Sequence, residues 1–258
     1  MCIRDRTVIA ELLGAPLDAS AQMLAWSHEM VAMYEARRDR AAEDRAVAAT
    51  LAFSAFMREV IAARRAAPGE ALIDALIAAE DGGDRLSEPE LVTTCILLLN
   101  AGHEATVHAI GNAAKLALDH RLPREAFTDA RADAAVEEAL RLDPPLHLFT
   151  RYALEDVDAA GRRFRKGETV GLLLAAANRD PSAFPNPAQA DLSRPNAAQH
   201  QAFGAGVHFC VGAPLARLET KIALATLFRR LPDLRLAAPA RYADRYHFHG
   251  LSALRVAA

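Results

Sequence analysis

The sequence predicts a mainly α-helical protein with small β-sheets. Three observations predict it. Helix formers, above all Ala, Leu and Arg, outweigh β-branched residues across the 258 positions. Several stretches keep a helical apolar period, the longest over residues 88–118, where only Gly102 and Gly111 interrupt it. Short strand-like runs are confined to the region after Phe149 and the region after Leu234.

Taken in order, residues 19–38 form an amphipathic stretch with Met23, Trp26, Met30 and Met33 at helical spacing. Such a stripe fits ordinary core packing, and it also fits the lining of a channel. Residues 43–66 make a second long helix with Leu51, Phe53, Phe56, Val60 and Ile61 as its apolar set, broken by Pro68-Gly69. A short helix over 70–79 and a loop at Asp81-Gly82-Gly83-Asp84 follow. Ser87-Glu88-Pro89-Glu90 is a capping box, and the helix it opens is long enough to cross a domain.

Inside that apolar helix lies Ala101-Gly102-His103-Glu104-Ala105-Thr106. An acid and a hydroxyl there are costly unless paired or facing a cavity. Small Ala101 and Gly102 would leave space for a flat ligand; a packing notch with solvated Glu104 and His103 is the other reading. Residues 132–142 form a further helix, with Glu138 and Arg141 three apart on one face and ended by Asp143-Pro144-Pro145. An exposed pair of that kind contributes less than about 1 kcal/mol. Short strands are expected from Phe149-Thr150-Arg151 and over 157–159, 162–165 and 169–173, with a turn at Ala160-Gly161. A short helix begins near Ala175, and residues 182–198 are a long loop. The helix over 213–231 has Leu215, Leu218, Ile222 and Ala225 along one face, leaving Arg217 and Glu219 as surface or packing residues. His247 and His249 alternate in a strand-like run, but no third zinc ligand stands near them in sequence.

Totals narrow the function classes. Apolar residues make up 52%, enough for one large domain or two small ones. A formal charge of -3 without any basic run argues against nucleic acid. Cys2, Cys95 and Cys210 are scattered and odd in number, which fits a reducing, cytoplasmic setting rather than a disulfide framework. No apolar run approaches the length of a membrane span; the longest, residues 95–99, is closed by Asn100. Residues 1–6 carry charges where a signal peptide would be apolar.

The most informative stretch is Phe203-Gly204-Ala205-Gly206-Val207-His208-Phe209-Cys210-Val211-Gly212, running through Ala213-Pro214 into Leu215-Ala216-Arg217. It sets a cysteine in a glycine-rich loop that opens onto a helix, with Pro214 in the first turn. A sulfur at a helix N-terminus meets a positive dipole end and free N–H donors, which favour a thiolate, the form a soft metal ligand requires.

This stretch resembles the haem-binding loop of the cytochrome P450 family, with every fixed position of Phe-Gly-x-Gly-x-His-x-Cys-x-Gly present. The resemblance implies haem b as cofactor, Cys210 as axial iron ligand, and Phe203, Gly204, Gly206 and Gly212 as its supporting loop. It also implies His208 and Arg151 as propionate partners and Leu148 and Phe149 as borders of the substrate pocket. The segment at residues 101–106 is similar to the central-helix motif of the family. There Ala101 and Gly102 would flank the haem, Glu104 would be the acid, and Ala105 stands where a proton-relay Thr is usual. Thr106 is one residue later, about 100° round the helix, and is the secondary candidate. Glu138-x-x-Arg141 matches the structural network of the family, which Arg194 would join. The usual Pro-x-Arg-Phe of the preceding meander is Pro187-Ala188-Gln189-Ala190 here. Residues 250–256 resemble its C-terminal β-hairpin.

The resemblance begins at Thr7 and covers residues 7–258, implying the C-terminal portion of the cytochrome P450 fold without its N-terminal helices and most of its first sheet. Residues 1–6 do not match and are expected to be a non-native start. The implied activity is a haem-thiolate monooxygenase using O2 and two electrons from a ferredoxin or flavodoxin-type donor with its NAD(P)H reductase, acting on a small apolar substrate. Ala105 keeps a peroxide-driven peroxygenase open, and the missing part keeps a non-catalytic fragment or haem binder open.

Overall fold

The computed structural model describes residues 2–35, 37–80, 86–245 and 247–258. The chain divides into two compact units, Met1–Val107 and His108–Ala258.

In the first unit, α1 (Cys2–Leu13) starts ahead of Thr7, so the segment expected to be foreign continues the same helix. Gly14 ends it at φ 86°, a left-handed position open to glycine. Its carbonyl accepts two bonds from the Arg64 guanidinium, at 2.7 and 3.2 Å. Helix α2 spans Ser20–Val31 and passes into a 3-10 turn, Ala32–Tyr34, well short of residue 38. No residue from Val31 to Glu35 is buried, so nothing tertiary holds further α-helical turns. Met23 is buried, and Trp26 and Met30 pack against the core, whereas Met33 is exposed.

Helix α3 (Arg40–Ala66) begins three residues earlier than expected, because the Asp39 side chain caps it by accepting the Ala42 N–H at 2.8 Å. Its buried stripe is Phe53, Met57, Val60 and Ile61; Leu51, expected in that stripe, is 68% exposed. Among the described residues α3 is also the one helix long and apolar enough to cross a membrane, contrary to the expectation that none would be. Alanines, apolar but small, lengthen the window without forming an apolar run, and only 33% of it is buried. The stripe itself is core of this unit. Helix α4 spans Leu72–Glu80, and the loop expected at 81–84 lies outside the described residues. Helix α5 (Glu88–Asp119) is the long helix, its residues up to Val107 belonging to this unit and the rest to the second, and Glu90 accepts both the N–H and the hydroxyl of Ser87 at 2.7 Å. Cys95 on α5 is fully buried, and burial pushes its thiol up to about 11.

In the second unit, α6 (Ala132–Leu142) spans the expected residues. Strand β1 (Leu148–Tyr152) is followed by the hairpin of β2 (Val157–Ala159) and β3 (Arg162–Phe164), and then by β4 (Thr169–Leu173), which returns antiparallel to β1 with Arg151 opposite Val170. Helix α7 is only Leu174–Ala177. Helix α8 (Ala213–Arg230) packs on α6, but not with the expected face. Leu218 and Ile222 are half-exposed, while Thr220, Leu224 and Phe228 are buried. The Thr220 hydroxyl donates to the Ala216 carbonyl at 2.7 Å, which lets a polar residue type enter the core. At the C-terminus, β5 (Arg235–Leu236) pairs with β8 (Val256–Ala257), and β6 (Arg241–Tyr242) pairs with β7 (Leu251–Ala253). Residues 250–256 are therefore not a hairpin of their own: β7 and β8 each pair with an earlier strand.

Candidate functional site

The cysteine loop is shaped by its own backbone. Gly204 and Gly206 sit at φ 70° and 68°, where a side chain would be strained. The Cys210 N–H donates to the Phe203 carbonyl at 3.0 Å, closing the loop, and the Cys210 carbonyl accepts the Ala213 N–H at 3.2 Å. Gly212 is the N-cap of α8 and Pro214 lies in its first turn. Cys210 is therefore held at the start of an 18-residue helix, and it is exposed.

Its surroundings are apolar. Val207 is 95% exposed, Val211 85% and Phe209 50%. A Cβ on Gly206 would meet nothing within 4 Å, and one on Gly212 would sit 3.8 Å from the Cys210 sulfur. A soft sulfur donor in a loop of exposed apolar residues and bare backbone fits a flat, largely apolar macrocycle whose metal takes a thiolate. His208 is exposed in the same loop. Arg151 is exposed on β1, where its Nη1 donates to the Thr150 carbonyl at 2.9 Å. Both are cations or hydrogen-bond donors of the kind a carboxylate-bearing cofactor needs.

Two charged networks support this unit. Glu138 and Arg141 are wholly buried, with Arg141 Nε to Glu138 Oε2 at 2.7 Å and Nη2 to Oε1 at 2.8 Å. Arg194 Nε lies 3.2 Å from both Glu138 oxygens. The remaining guanidinium N–H groups reach backbone carbonyls: Arg141 donates to Asn178 at the end of α7 and to Pro187 and Gln189 of the long loop, and Arg194 to Pro185, Asn186 and Gln189. Every buried charge is thus answered.

The second network escapes sequence reasoning. Glu137 meets Arg217 Nε at 2.5 Å and His200 Nε2 at 3.1 Å. His200 Nδ1 accepts the Ala202 N–H at 3.1 Å, so its proton is on Nε2, towards Glu137. Burial by itself would raise the Glu137 carboxyl; the hydrogen bonds of His200 and Arg217 and the guanidinium charge outweigh it and hold the group down at about 2. Arg217 also lies 4.5 Å from the centre of the Phe203 ring. It is therefore an anchor of the cysteine loop, not a plain surface residue. The one signal for it was its place at the end of the loop motif; His200 had none.

In the first unit, α5 presents Glu104 and Thr106 both buried, Ala105 partly exposed and Ala101 exposed. The space expected beside Gly102 is filled: a Cβ there would lie 3.0 Å from Ile9 of α1. Gly102 thus admits a neighbouring helix. His28 of α2 places Nε2 2.8 Å from Glu104 Oε1, with its own side chain 54% exposed. His103 is buried beside them, its ring centre 6.1 Å from that of His28. No local pattern points to His28, which lies 76 residues from Glu104.

The profile of the family described as Cytochrome P450 matches residues 132–232, which contain both networks and the cysteine loop. The biotin biosynthesis cytochrome P450 of Bacillus subtilis is 39% identical over 96% of this chain and 63% of its own length. Among solved structures, P450BioI in complex with an acyl carrier protein ligated to hexadec-9Z-enoic acid superposes with a TM-score of 0.91 at 38% identity, covering 98% of this chain and 65% of that one. CYP109E1 of Bacillus megaterium, solved with testosterone, gives 0.87 at 30% identity, covering 98% and 69%. The chain spans somewhat under two thirds of the length of the first of these relatives. Sharing their fold along nearly all its residues, and with the cysteine loop inside the matched segment, this chain belongs to the cytochrome P450 family.

Proposed function

We propose that the protein is a haem-thiolate monooxygenase that oxidises a small apolar substrate with O2 and two electrons from a separate ferredoxin or flavodoxin-type donor and its NAD(P)H reductase, in the cytoplasm. The observation that carries this reading is the exposed Cys210 at the N-terminus of α8, in a loop closed by its own N–H and carrying the exposed apolar residues Val207, Phe209 and Val211. Haem b, when bound, supplies the activation of dioxygen at its iron.

The work of this chain is to bind, orient and move protons. Cys210 would hold the haem iron through its sulfur, and Phe203, Gly204, Gly206 and Gly212 would keep the backbone out of the way of the macrocycle. Arg151 and His208 would hold the propionates. Phe203, clamped by Arg217, fixes the loop from beneath. Leu148 and Phe149 on β1 offer apolar surface to a substrate. The buried Glu104 carboxyl bonds an imidazole that is half in solvent, so His28 Nε2 can pass a proton to Glu104 Oε1 over 2.8 Å. Ala105 has no hydroxyl to continue that path, and Thr106 stands next to it as the nearest one on the helix.

Reduction of the haem-loaded chain under carbon monoxide tests this. The expected result is the strongly red-shifted Soret band of thiolate ligation, lost in Cys210→Ala. Haem uptake with an unshifted band would overturn the Cys210 assignment. Failure to take up haem would make the chain a non-catalytic fragment.

A further inference from the structure

Within the second unit, a cleft of about 450 Å³ is lined by Asp143, His147, Tyr242 and His249. None of these belongs to the haem site or to its supporting networks. They come from the end of α6, the segment before β1 and the residues around β6 and β7, so the cluster exists only in the folded chain.

We propose that Asp143, His147 and His249 form a binding site for a borderline divalent cation, with Zn2+ the best match. One donor atom from each lies within 4.8 Å of the other two. His249 Nε2 is already 2.9 Å from Asp143 Oδ1. Tetrahedral ligation with metal bonds of about 2.0–2.1 Å places donors about 3.3 Å apart, so small side-chain rotations suffice. Two imidazoles and a carboxylate are a donor set zinc accepts, and the cleft leaves a further position for water.

The groups behind the donors favour a built site over a chance cluster. The Tyr242 hydroxyl bonds the other Asp143 oxygen, Oδ2. The wholly buried Asn112 donates to the carbonyls of both Asp143 and His249, at 3.2 and 2.9 Å. The His249 N–H donates to the Pro145 carbonyl at 2.8 Å. The His147 and Tyr242 rings stack on His249 at 3.9 and 4.0 Å and fix its plane. Lys115 and Arg179 also line the cleft, but Lys115 is paired with Asp119 at 2.5 Å and Arg179 Nη2 donates to the Leu142 carbonyl at 2.7 Å. Zinc entry needs Nε2 of His249 unprotonated, with the ring proton on Nδ1 or released.

Titration of the protein with Zn2+ by calorimetry tests the site. A single saturable zinc is expected, with affinity falling about tenfold or more in His147→Phe, which keeps the ring stack and removes the donor. His28→Ala, at the other histidine cluster, should leave the affinity unchanged. Zinc-edge X-ray absorption of the unmodified protein gives a reading independent of any variant: imidazole scattering and no sulfur near about 2.3 Å. Absence of saturable binding, a sulfur shell, affinity unchanged in His147→Phe, or loss of zinc in His28→Ala would each overturn the proposal.

Discussion

Glu138 is the residue on which the most depends per atom. Its two oxygens face two arginines, and neither it nor Arg141 has any exposed surface. Removing its charge leaves two guanidinium groups in the core with no counter-charge, a loss of about 3–5 kcal/mol. Glu138→Gln is therefore expected to shift the urea midpoint strongly downwards, and a loss of under about 1 kcal/mol would contradict the network. The i, i+3 spacing made the Glu138/Arg141 pairing legible in the sequence, but not its burial, because an identical pair on a surface looks the same. Arg217 and His28 show the opposite case. Their partners are 80 and 76 residues away, and no local pattern points to them.

Among the elements, helices α5 and α6 were legible almost to the residue, since a capping box and a Pro pair mark ends that need no tertiary help. The boundaries that moved are those set by context: α2 stops where burial stops, and the inward face of α8 depends on a threonine satisfied within its own helix. The β2–β3 hairpin carries a local conflict. Ala160 and Gly161 both have positive φ, 51° and 73°, the pattern of a type I′ turn. Glycine takes that conformation freely; alanine does so at a cost of about 1 kcal/mol. Ala160→Asn is expected to stabilise the chain by about 0.5–1 kcal/mol in thermal or urea unfolding. A neutral or negative effect would count against the turn geometry.

For the whole molecule, acid is the informative stress. Glu137 is held at about 2, below its ordinary 4.5, so it is less protonated in the folded chain than in the unfolded one. Its contribution is complete above about pH 4.5 and fades as pH falls through about 2. Melting temperature measured from pH 6 to about pH 2 should fall in that window, and Glu137→Gln should flatten that part of the profile. An unchanged profile in the variant would remove Glu137 as the cause. The architecture at this scale was legible because the cysteine loop carries many fixed positions in one short stretch; the terminal strand pairing was not, since register between two-residue strands leaves almost no trace in composition. The loop over residues 182–198 is held chiefly by its backbone. Arg141 and Arg194 grip it mainly through main-chain carbonyls at Pro185, Asn186, Pro187 and Gln189, the one side-chain contact of Arg141 there being the Phe184 ring, whose centre lies 5.3 Å from its guanidinium. The two arginines are thus intolerant of replacement, while the letters of residues 185–190 are nearly free to change, Asn186 at φ 48° being the exception, and the buried Phe184 beside them stays fixed under Arg141. A randomised library should accept many sequences there, as the Pro187-Ala188-Gln189-Ala190 of this chain already does, and almost none at positions 141 and 194.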